Sequence, residues 1–114
     1  MADPGLAPGQ VAWASLEPVL GREQGGHRPV LIIASSGYLD AVTTLVIALP
    51  ITAVDRGWPN HVLIEGPSGL DRPSWIMTEQ PRTLSRGRLT GIAGQVSPRC
   101  LEVVRTWLGD FLDL

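Results

Sequence analysis

A glycine-rich segment near the start of the chain combines residue types that could do chemistry at one place. Residues 21–28 contain an acid, an amide, a histidine and two arginines among three glycines. Glycine allows tight backbone turns, and Arg28–Pro29 joins the segment to the apolar run Val30–Ile33, which is typical of a buried strand. A polar loop fixed to a stiff strand can hold a binding or catalytic site rigidly. The plainer interpretation is a solvated hairpin loop whose charges are incidental.

Arginine supplies all nine strongly basic side chains, and the chain has no lysine. The guanidinium group suits bidentate contacts with phosphate and stacking on bases, and Arg82, Arg86 and Arg88 fall within seven positions. The net charge of −2 argues against a globally basic nucleic-acid binder, so any such binding would have to rest on a local patch. Codon bias in a GC-rich genome is the simpler explanation of the arginine count.

Composition places the chain among globular proteins. Its 114 residues predict one domain, residues 1–114, and a hydrophobic fraction of 44% is enough for a core. No apolar run approaches the roughly 18 residues of a membrane span, and the N-terminus has neither the basic nor the apolar region of a signal peptide. Cys100 is the only cysteine, so an intrachain disulfide is impossible and a cytoplasmic protein is expected. One cysteine and two histidines without ligand spacing predict no metal site.

The hydrophobic pattern predicts short strands joined by turns. Residues 1–8 are expected to form a loose arm. Strands are predicted at residues 10–16, 29–34, 43–49, 61–65, 74–79 and 91–96, with a turn or a short helical turn at 35–40. Ser97 suits a helix N-cap and Pro98 the first helical position, and the apolar residues after them recur at helical spacing. The sequence therefore predicts a small, mainly antiparallel barrel with a C-terminal α-helix.

Three segments together resemble one protein family. GQVAWASLEPVLGREQGGHRPVLII, IALPIT and EQPRTL occur in the order and spacing of the MazF/PemK/Kid family, the toxins of type II toxin–antitoxin pairs. The resemblance covers about residues 9–96, with a helix where the family has one. It implies a mainly β fold: a small half-open antiparallel barrel of the Src-homology type, with a C-terminal α-helix, that forms a homodimer.

The resemblance also implies an activity. Family members are sequence-specific endoribonucleases, or mRNA interferases, which cleave single-stranded RNA without a metal or other cofactor. Attack by the 2′-hydroxyl gives 2′,3′-cyclic phosphate and 5′-hydroxyl ends, and the loss of RNA inhibits translation and growth. Whether the cellular target is mRNA, tRNA or rRNA, and which bases are recognised, stays open. A cognate antitoxin is the implied protein partner, expected to lay an acidic, extended tail across residues 21–28, either displacing RNA or holding that loop closed.

Four residues match the catalytic positions of the family. They are Arg28, Thr52, Glu23 and Glu79. A guanidinium group stays protonated at neutral pH and is badly matched to proton transfer, so we expect Arg28 to act as an electrostatic clamp on phosphate. From the residues alone, Arg28 could instead pair with Glu23, Thr52 could be an ordinary strand-end hydroxyl, and Glu79 could be a surface charge.

A second set of residues is predicted to contact RNA. It comprises Arg22, Gln24, His27, Trp58, Ser74, Gln80, Arg82 and Arg86. Trp58 lies in a predicted exposed turn and is the expected base-stacking tryptophan. The chain departs from some family members at Met77, where they carry arginine, and at Arg22, where they carry histidine, so mechanisms that need those two groups do not transfer.

Two other functions compete with cleavage. One is a non-enzymatic toxin of the same fold that poisons a protein target such as a DNA topoisomerase, but that branch should lack the Arg-Pro and Pro-Ile-Thr pair, and this chain has both. The other is a small RNA-binding barrel without nuclease activity.

Overall fold

The computed structural model describes residues 5–16 and 26–114. The predictions for Arg22, Glu23 and Gln24, and for the first four residues of the N-terminal arm, lie outside this part of the chain. Within it, the chain forms seven strands, two α-helices and one 3-10 turn. These are β1 (Gln10–Ser15), β2 (His27–Ile32), α1 (Ser36–Ala41), β3 (Leu45–Thr52), β4 (His61–Leu63), β5 (Trp75–Met77), β6 (Arg82–Ser85), the 3-10 turn (Arg86–Arg88), β7 (Leu89–Gln95) and α2 (Pro98–Leu112).

Strand β3 is the centre of the sheet. Along one edge it pairs with β2, with Val30 opposite Pro50 and Ile32 opposite Ala48. Along the other edge its first half pairs with β6 and its last two residues pair with β5. All pairs are antiparallel, and the strand order β4-β5-β3-β2-β1-β7 leaves β4 and β7 at opposite ends. This arrangement confirms the predicted half-open antiparallel barrel with a C-terminal helix.

Two apolar clusters lie on opposite faces of the strands because successive side chains alternate between the faces. One cluster joins the sheet to α2, where Cys100, Val104 and Leu108 are buried against strand residues. The other lies under α1, where Leu39 packs with alanine and valine side chains from β1, β2 and β3. Burial of these clusters fixes the strand register, since a slip of one residue would turn each apolar side chain to the wrong face.

Helix α2 begins where its sequence predicts. The Ser97 hydroxyl accepts a hydrogen bond from the Cys100 N–H at 3.1 Å, and Pro98 occupies the first turn. The helix ends at Asp113, which adopts a left-handed conformation with φ of 58°. These caps satisfy backbone groups that the helix itself leaves unpaired.

The structure differs from the predicted elements at several places. Strand β3 continues past residue 49 to Thr52, and β4 ends at Leu63 rather than at residue 65. Residues 36–41 form a full α-helix, with Ser35 as N-cap. Strand β5 is shorter than predicted because the chain turns at 78–80, where the Thr78 hydroxyl donates to the Asn60 carbonyl at 2.8 Å. Strand β6 was not predicted, because only Leu84 of its four residues is buried and it carries no apolar alternation. Its position depends on pairing with β3, where Leu84 lies opposite Val46.

Gly94 provides a test of how closely the loop at residues 66–70 packs on β7. A Cβ at Gly94 would lie 2.2 Å from the Pro67 carbonyl oxygen, whereas a Cβ at Gly91, in the same strand, would meet nothing within 4 Å. We expect Gly94→Ala to lower the free energy of unfolding by about 2 kcal/mol or more, and Gly91→Ala to change it by about 0.5 kcal/mol or less. Urea unfolding of both variants measures this difference, and equal losses would contradict the close packing.

Candidate functional site

Arg28, Thr52, Gln80 and Arg82 lie around one pocket of about 410 Å³. It forms where β2, the end of β3 and the 77–82 segment meet. Among the described residues, its lining consists of Leu16, Arg28, Pro29, Val30, Pro50, Ile51, Thr52, Ala53, Val54, Arg56, Met77, Gln80 and Arg82. The structure therefore brings together four of the predicted site residues, and adds Arg56, which the sequence did not single out.

The register of β2 and β3 places Arg28 next to Thr52. Val30 lies opposite Pro50 in this antiparallel pair. Two positions further along each strand, Arg28 and Thr52 come to the same end and the same face, because side chains alternate with a period of two. Both side chains are half-buried, so each is held by the sheet while still reaching the pocket.

The hydroxyl of Thr52 is held in one orientation by its surroundings. Its oxygen accepts hydrogen bonds from the Val54 N–H at 3.1 Å and from the Arg56 guanidinium at 3.4 Å. A hydroxyl has two acceptor sites and one hydrogen. With both acceptor sites in use, Thr52 has its hydrogen left to donate, which suits contact with an anionic oxygen.

The pocket carries positive charge that its described lining does not neutralise. Arg28, Arg56 and Arg82 line it, and none of the lining residues that the structure describes is acidic. In residues 5–16 and 26–114, the ion pairs join His61 to Glu79 and Arg72 to Asp71, and neither involves a pocket arginine. A cluster of unpaired guanidinium groups is a site for an anion such as phosphate, in spite of the net negative charge of the whole chain.

Glu79 lies outside the pocket lining and is bound within a polar network. Both of its carboxylate oxygens lie 3.1 Å from His61 Nε2, and Asn60 and Gln80 donate to it at 2.8 and 3.1 Å. Burial alone would raise the pKa of this carboxyl, but the hydrogen bonds and the charge of His61 outweigh it, so the pKa of Glu79 is lowered. A carboxylate with a lowered pKa is a weaker base, which disfavours the predicted catalytic role and favours a role in holding Gln80.

Trp58 is half-exposed in the loop after β3, as the base-stacking prediction requires. One face of its ring packs on His61, with the ring centroids 4.8 Å apart. His61 itself is buried in the network around Glu79. The loop that carries Trp58 is thus tied to the segment that carries Gln80, while the stacking role stays a prediction.

Two residues predicted to contact RNA make hydrogen bonds within the fold. The Arg86 guanidinium donates to the backbone carbonyls of Leu45 at 3.0 Å, of Val42 at 2.9 Å and of Leu39, which joins the end of α1 to β3. The Ser74 hydroxyl is buried and donates to the Arg72 carbonyl at 3.1 Å. The donors used in these bonds hold the fold together, and the RNA contacts of Arg86 and Ser74 stay predictions.

His27 is exposed and opens β2 immediately before Arg28. Because neighbouring residues of a strand point to opposite faces, its side chain leaves the face that Arg28 uses. It is not among the residues that line the pocket. The predicted RNA contact of His27 would therefore need RNA that extends beyond the pocket.

Arg56 was not predicted as a site residue, because its sequence context indicates an exposed turn. Asp55 Oδ1 accepts the Gly57 N–H at 2.9 Å, and Gly57 has φ of 73°, so the loop bends back at this point. The bend returns the Arg56 side chain to Thr52. The only sequence signal was that Arg56 lies four residues after Thr52. A surface arginine often lies this close in sequence to a candidate residue, so the spacing alone did not single it out.

The described residues form neither a metal-binding cluster nor a membrane-spanning helix. Within the described ranges, no three histidine, cysteine, aspartate or glutamate side chains are grouped so that they could hold a metal ion. Neither of the α-helices placed there has the length and apolar character needed to cross a membrane.

The sequence is similar to that of a known family of bacterial toxins. Residues 7–112 match the model of the PemK-like, MazF-like toxins of type II toxin–antitoxin systems. The chain is 42% identical over 84 residues to Endoribonuclease EndoA of Bacillus subtilis, which covers 72% of each protein.

The fold is similar to those of solved structures of the same kind of toxin. A crystal structure of MazF from Deinococcus radiodurans superposes with a TM-score of 0.79 and 30% identity, over 98% of this chain and all of the other. An endoribonuclease from a mycobacterial species, in complex with its cognate antitoxin, superposes with a TM-score of 0.75 and 25% identity, over 98% and 97% of the two chains.

The lowered pKa of Glu79 predicts a pH-dependent contribution to stability. Because folding lowers this pKa, the contribution is present above the ordinary carboxyl pKa and is lost as the pH falls through the lowered folded value. We expect Glu79→Gln to lower the free energy of unfolding by about 1–2 kcal/mol at pH 7, since the charged acceptor is lost. In acid the difference should vanish, because protonated Glu79 resembles glutamine.

Urea unfolding at fixed protein concentration, at several pH values, measures this difference. Glu102→Gln, at an exposed position of α2, is the matched control and should stay within about 0.5 kcal/mol of the wild type at every pH. A deficit in Glu79→Gln that persists unchanged in acid would contradict the assigned cause.

Proposed function

The chain belongs to the PemK-like, MazF-like family of type II toxins and is an RNA-cleaving toxin, and we propose that its arginine-lined pocket is the site of cleavage. One observation carries the proposal: Arg28 and Thr52 lie at the same end of paired strands and line one pocket together with Arg56 and Arg82. A phosphodiester is the anion in RNA that such a pocket suits. The substrate is single-stranded RNA, whose backbone can enter an open groove.

The proposed reaction uses the nucleophile that RNA itself carries. The 2′-oxygen attacks the adjacent phosphorus, a new 2′-O–P bond forms and the P–O5′ bond breaks. The products are a 2′,3′-cyclic phosphate and a 5′-hydroxyl, with the 2′ proton passing to a base and a proton reaching the departing 5′-oxygen. The enzyme must align these atoms and stabilise the charge that builds on the phosphate.

In this proposal Arg28 and Thr52 donate hydrogen bonds to different oxygens of the phosphate. Arg28 donates two hydrogen bonds from its planar guanidinium and follows the negative charge as it develops. Thr52 donates its remaining hydrogen to another phosphate oxygen. Arg82 and Gln80 line the same pocket and bind the chain of the substrate next to the reacting bond. The base is Glu23 in this proposal, because the pKa of Glu79 is lowered and its oxygens are occupied.

A cognate antitoxin keeps this toxin silent. The mycobacterial endoribonuclease of matching fold is bound to its own antitoxin. The positive pocket gives the antitoxin a place to dock an acidic segment in competition with RNA. We further infer a homodimer that acts in the cytoplasm on cellular RNA, on the basis of the family and of the exposed apolar residues Phe111, Leu112 and Leu114 at the end of α2. Light scattering of the purified chain measures the oligomeric state.

Cleavage in the presence of EDTA tests the proposed function. We expect the purified chain to cut a long single-stranded RNA at defined sites with excess EDTA, because arginines supply the positive charge that a metal would otherwise provide. End-group analysis should find 2′,3′-cyclic phosphate and 5′-hydroxyl. Activity that disappears in EDTA and returns with magnesium would contradict the mechanism, and intact RNA under all conditions would favour a non-enzymatic toxin.

Substitution of Arg28 tests the site. We expect Arg28→Ala to reduce the cleavage rate by about 10²-fold or more, the scale for loss of a preorganised donor that stabilises developing charge. Arg28→Lys should restore activity only in part, since an ammonium group cannot make the bidentate contact. Single-turnover cleavage of a short RNA measures these rates.

Arg105→Ala is the control for this experiment, because it removes one positive charge from an exposed position of α2 outside the pocket. Its cleavage rate should match that of the wild type. A folded Arg28→Ala protein that cleaves at nearly the wild-type rate would show that the site is elsewhere.

A further inference from the structure

Arg56 contacts a proposed catalytic group rather than an acid. Its Nη1 lies 3.4 Å from Thr52 Oγ1, and the Val54 N–H lies 3.1 Å from the same oxygen. We propose that Arg56 is a positioning residue for RNA cleavage, which fixes the Thr52 hydroxyl as a hydrogen-bond donor to the phosphate. The inference rests on the proposed function of the pocket and adds a residue to it.

The loop around Arg56 is built to hold this contact. Asp55 does not pair with its neighbour Arg56 but accepts the Gly57 N–H at 2.9 Å, which folds the loop on itself. Trp58, two residues further on, packs on the buried ring of His61. Thr52 is fixed in β3 at the other end. Arg56 is therefore exposed but presented from a loop that is anchored on both sides.

The charge of Arg56 is available to the pocket. In the part of the chain that the structure describes, its hydrogen-bond partner is the Thr52 oxygen and it forms no ion pair. A guanidinium has five N–H donors, so most of them stay free for substrate or water. An arginine without an acidic partner, beside Arg28 and Arg82, adds to the positive potential of the pocket and so favours the binding of an anion there.

The two hydrogen bonds that the Thr52 oxygen accepts determine which part of its hydroxyl group faces the substrate. If the oxygen accepted only one bond, the hydroxyl could rotate and present a lone pair to the pocket, which would repel a phosphate oxygen. Two donors at the oxygen leave the hydrogen as the group offered to the substrate. A cationic donor also polarises the O–H bond, so the hydroxyl becomes a stronger donor in turn.

The test separates positioning from simple attraction of RNA. We expect Arg56→Gln to lower kcat, measured at saturating RNA, by roughly 10-fold or more, the scale for loss of a hydrogen bond from a charged donor. Arg56→Lys should restore KM, because it keeps the charge, but restore kcat only in part. An effect confined to KM that added salt removes would overturn the proposal and make Arg56 an electrostatic attractor.

A double-mutant cycle supplies the decisive comparison. If Arg56 acts through the Thr52 hydroxyl, Arg56→Gln should have little further effect on kcat in a Thr52→Val background. An equal fold-change in both backgrounds would overturn the proposal. Single-turnover conditions with excess enzyme keep the slow variants measurable, and matching unfolding midpoints show that each variant is folded.

Two variants run alongside keep this inference distinct from the proposed function. Arg105→Gln, at an exposed position outside the pocket, should leave kcat and KM unchanged. If Arg28→Ala abolishes cleavage while Arg56→Gln does not change kcat, only the role of Arg56 is wrong. If neither substitution changes cleavage, the pocket itself is not the site.

Discussion

The antiparallel pairing of β2 with β3 is the constraint on which the rest of the site depends. With Val30 opposite Pro50, the arginine and the threonine at the ends of these strands must lie side by side. The opposite edge of β3 holds β5 and β6, and this brings the 77–82 segment to the same end of the sheet. A slip of one residue would turn Arg28 to the other face and bury a charge in the core, so the packing that stabilises the fold also secures the site.

Local arrangement, and not total charge, decides what each arginine does. Arg86 is surrounded by backbone carbonyls and acts as a clamp between α1 and β3. Arg28, Arg56 and Arg82 face a pocket whose lining, as far as the structure describes it, contains no carboxylate, so their charge is available to a ligand. Two members of the sequence cluster Arg82–Arg88 thus have opposite roles. An acidic protein can offer an anion site because solvent screening limits the field of exposed charges to about 8 Å at physiological ionic strength.

Much of the fold could be predicted from the sequence, because the apolar alternation of β1, β2 and β3 and the caps of α2 are local signals. Strand β6 could not, since it has one buried residue and exists through its pairing with β3. At the site, Arg28 and Thr52 stood out through a family resemblance, and the register explains their proximity. The buried partners of Glu79 depend on contacts between distant segments, which no local pattern encodes. The hydrogen bond of Ser74 to Arg72 and the return of Arg56 to Thr52 depend on loop geometry.

The packing of α2 on the sheet also decides the redox behaviour of the chain. Cys100, its only cysteine, lies on the buried face of the helix, and its sulfur is 3.8 Å from the Leu63 carbonyl. Burial raises the pKa of this thiol, so little of the reactive thiolate is present at neutral pH. Oxidants and alkylating reagents therefore reach the sulfur when α2 leaves the sheet. Thiol modification in this protein is accordingly a measure of helix opening, and the folded state protects its sulfur without a disulfide.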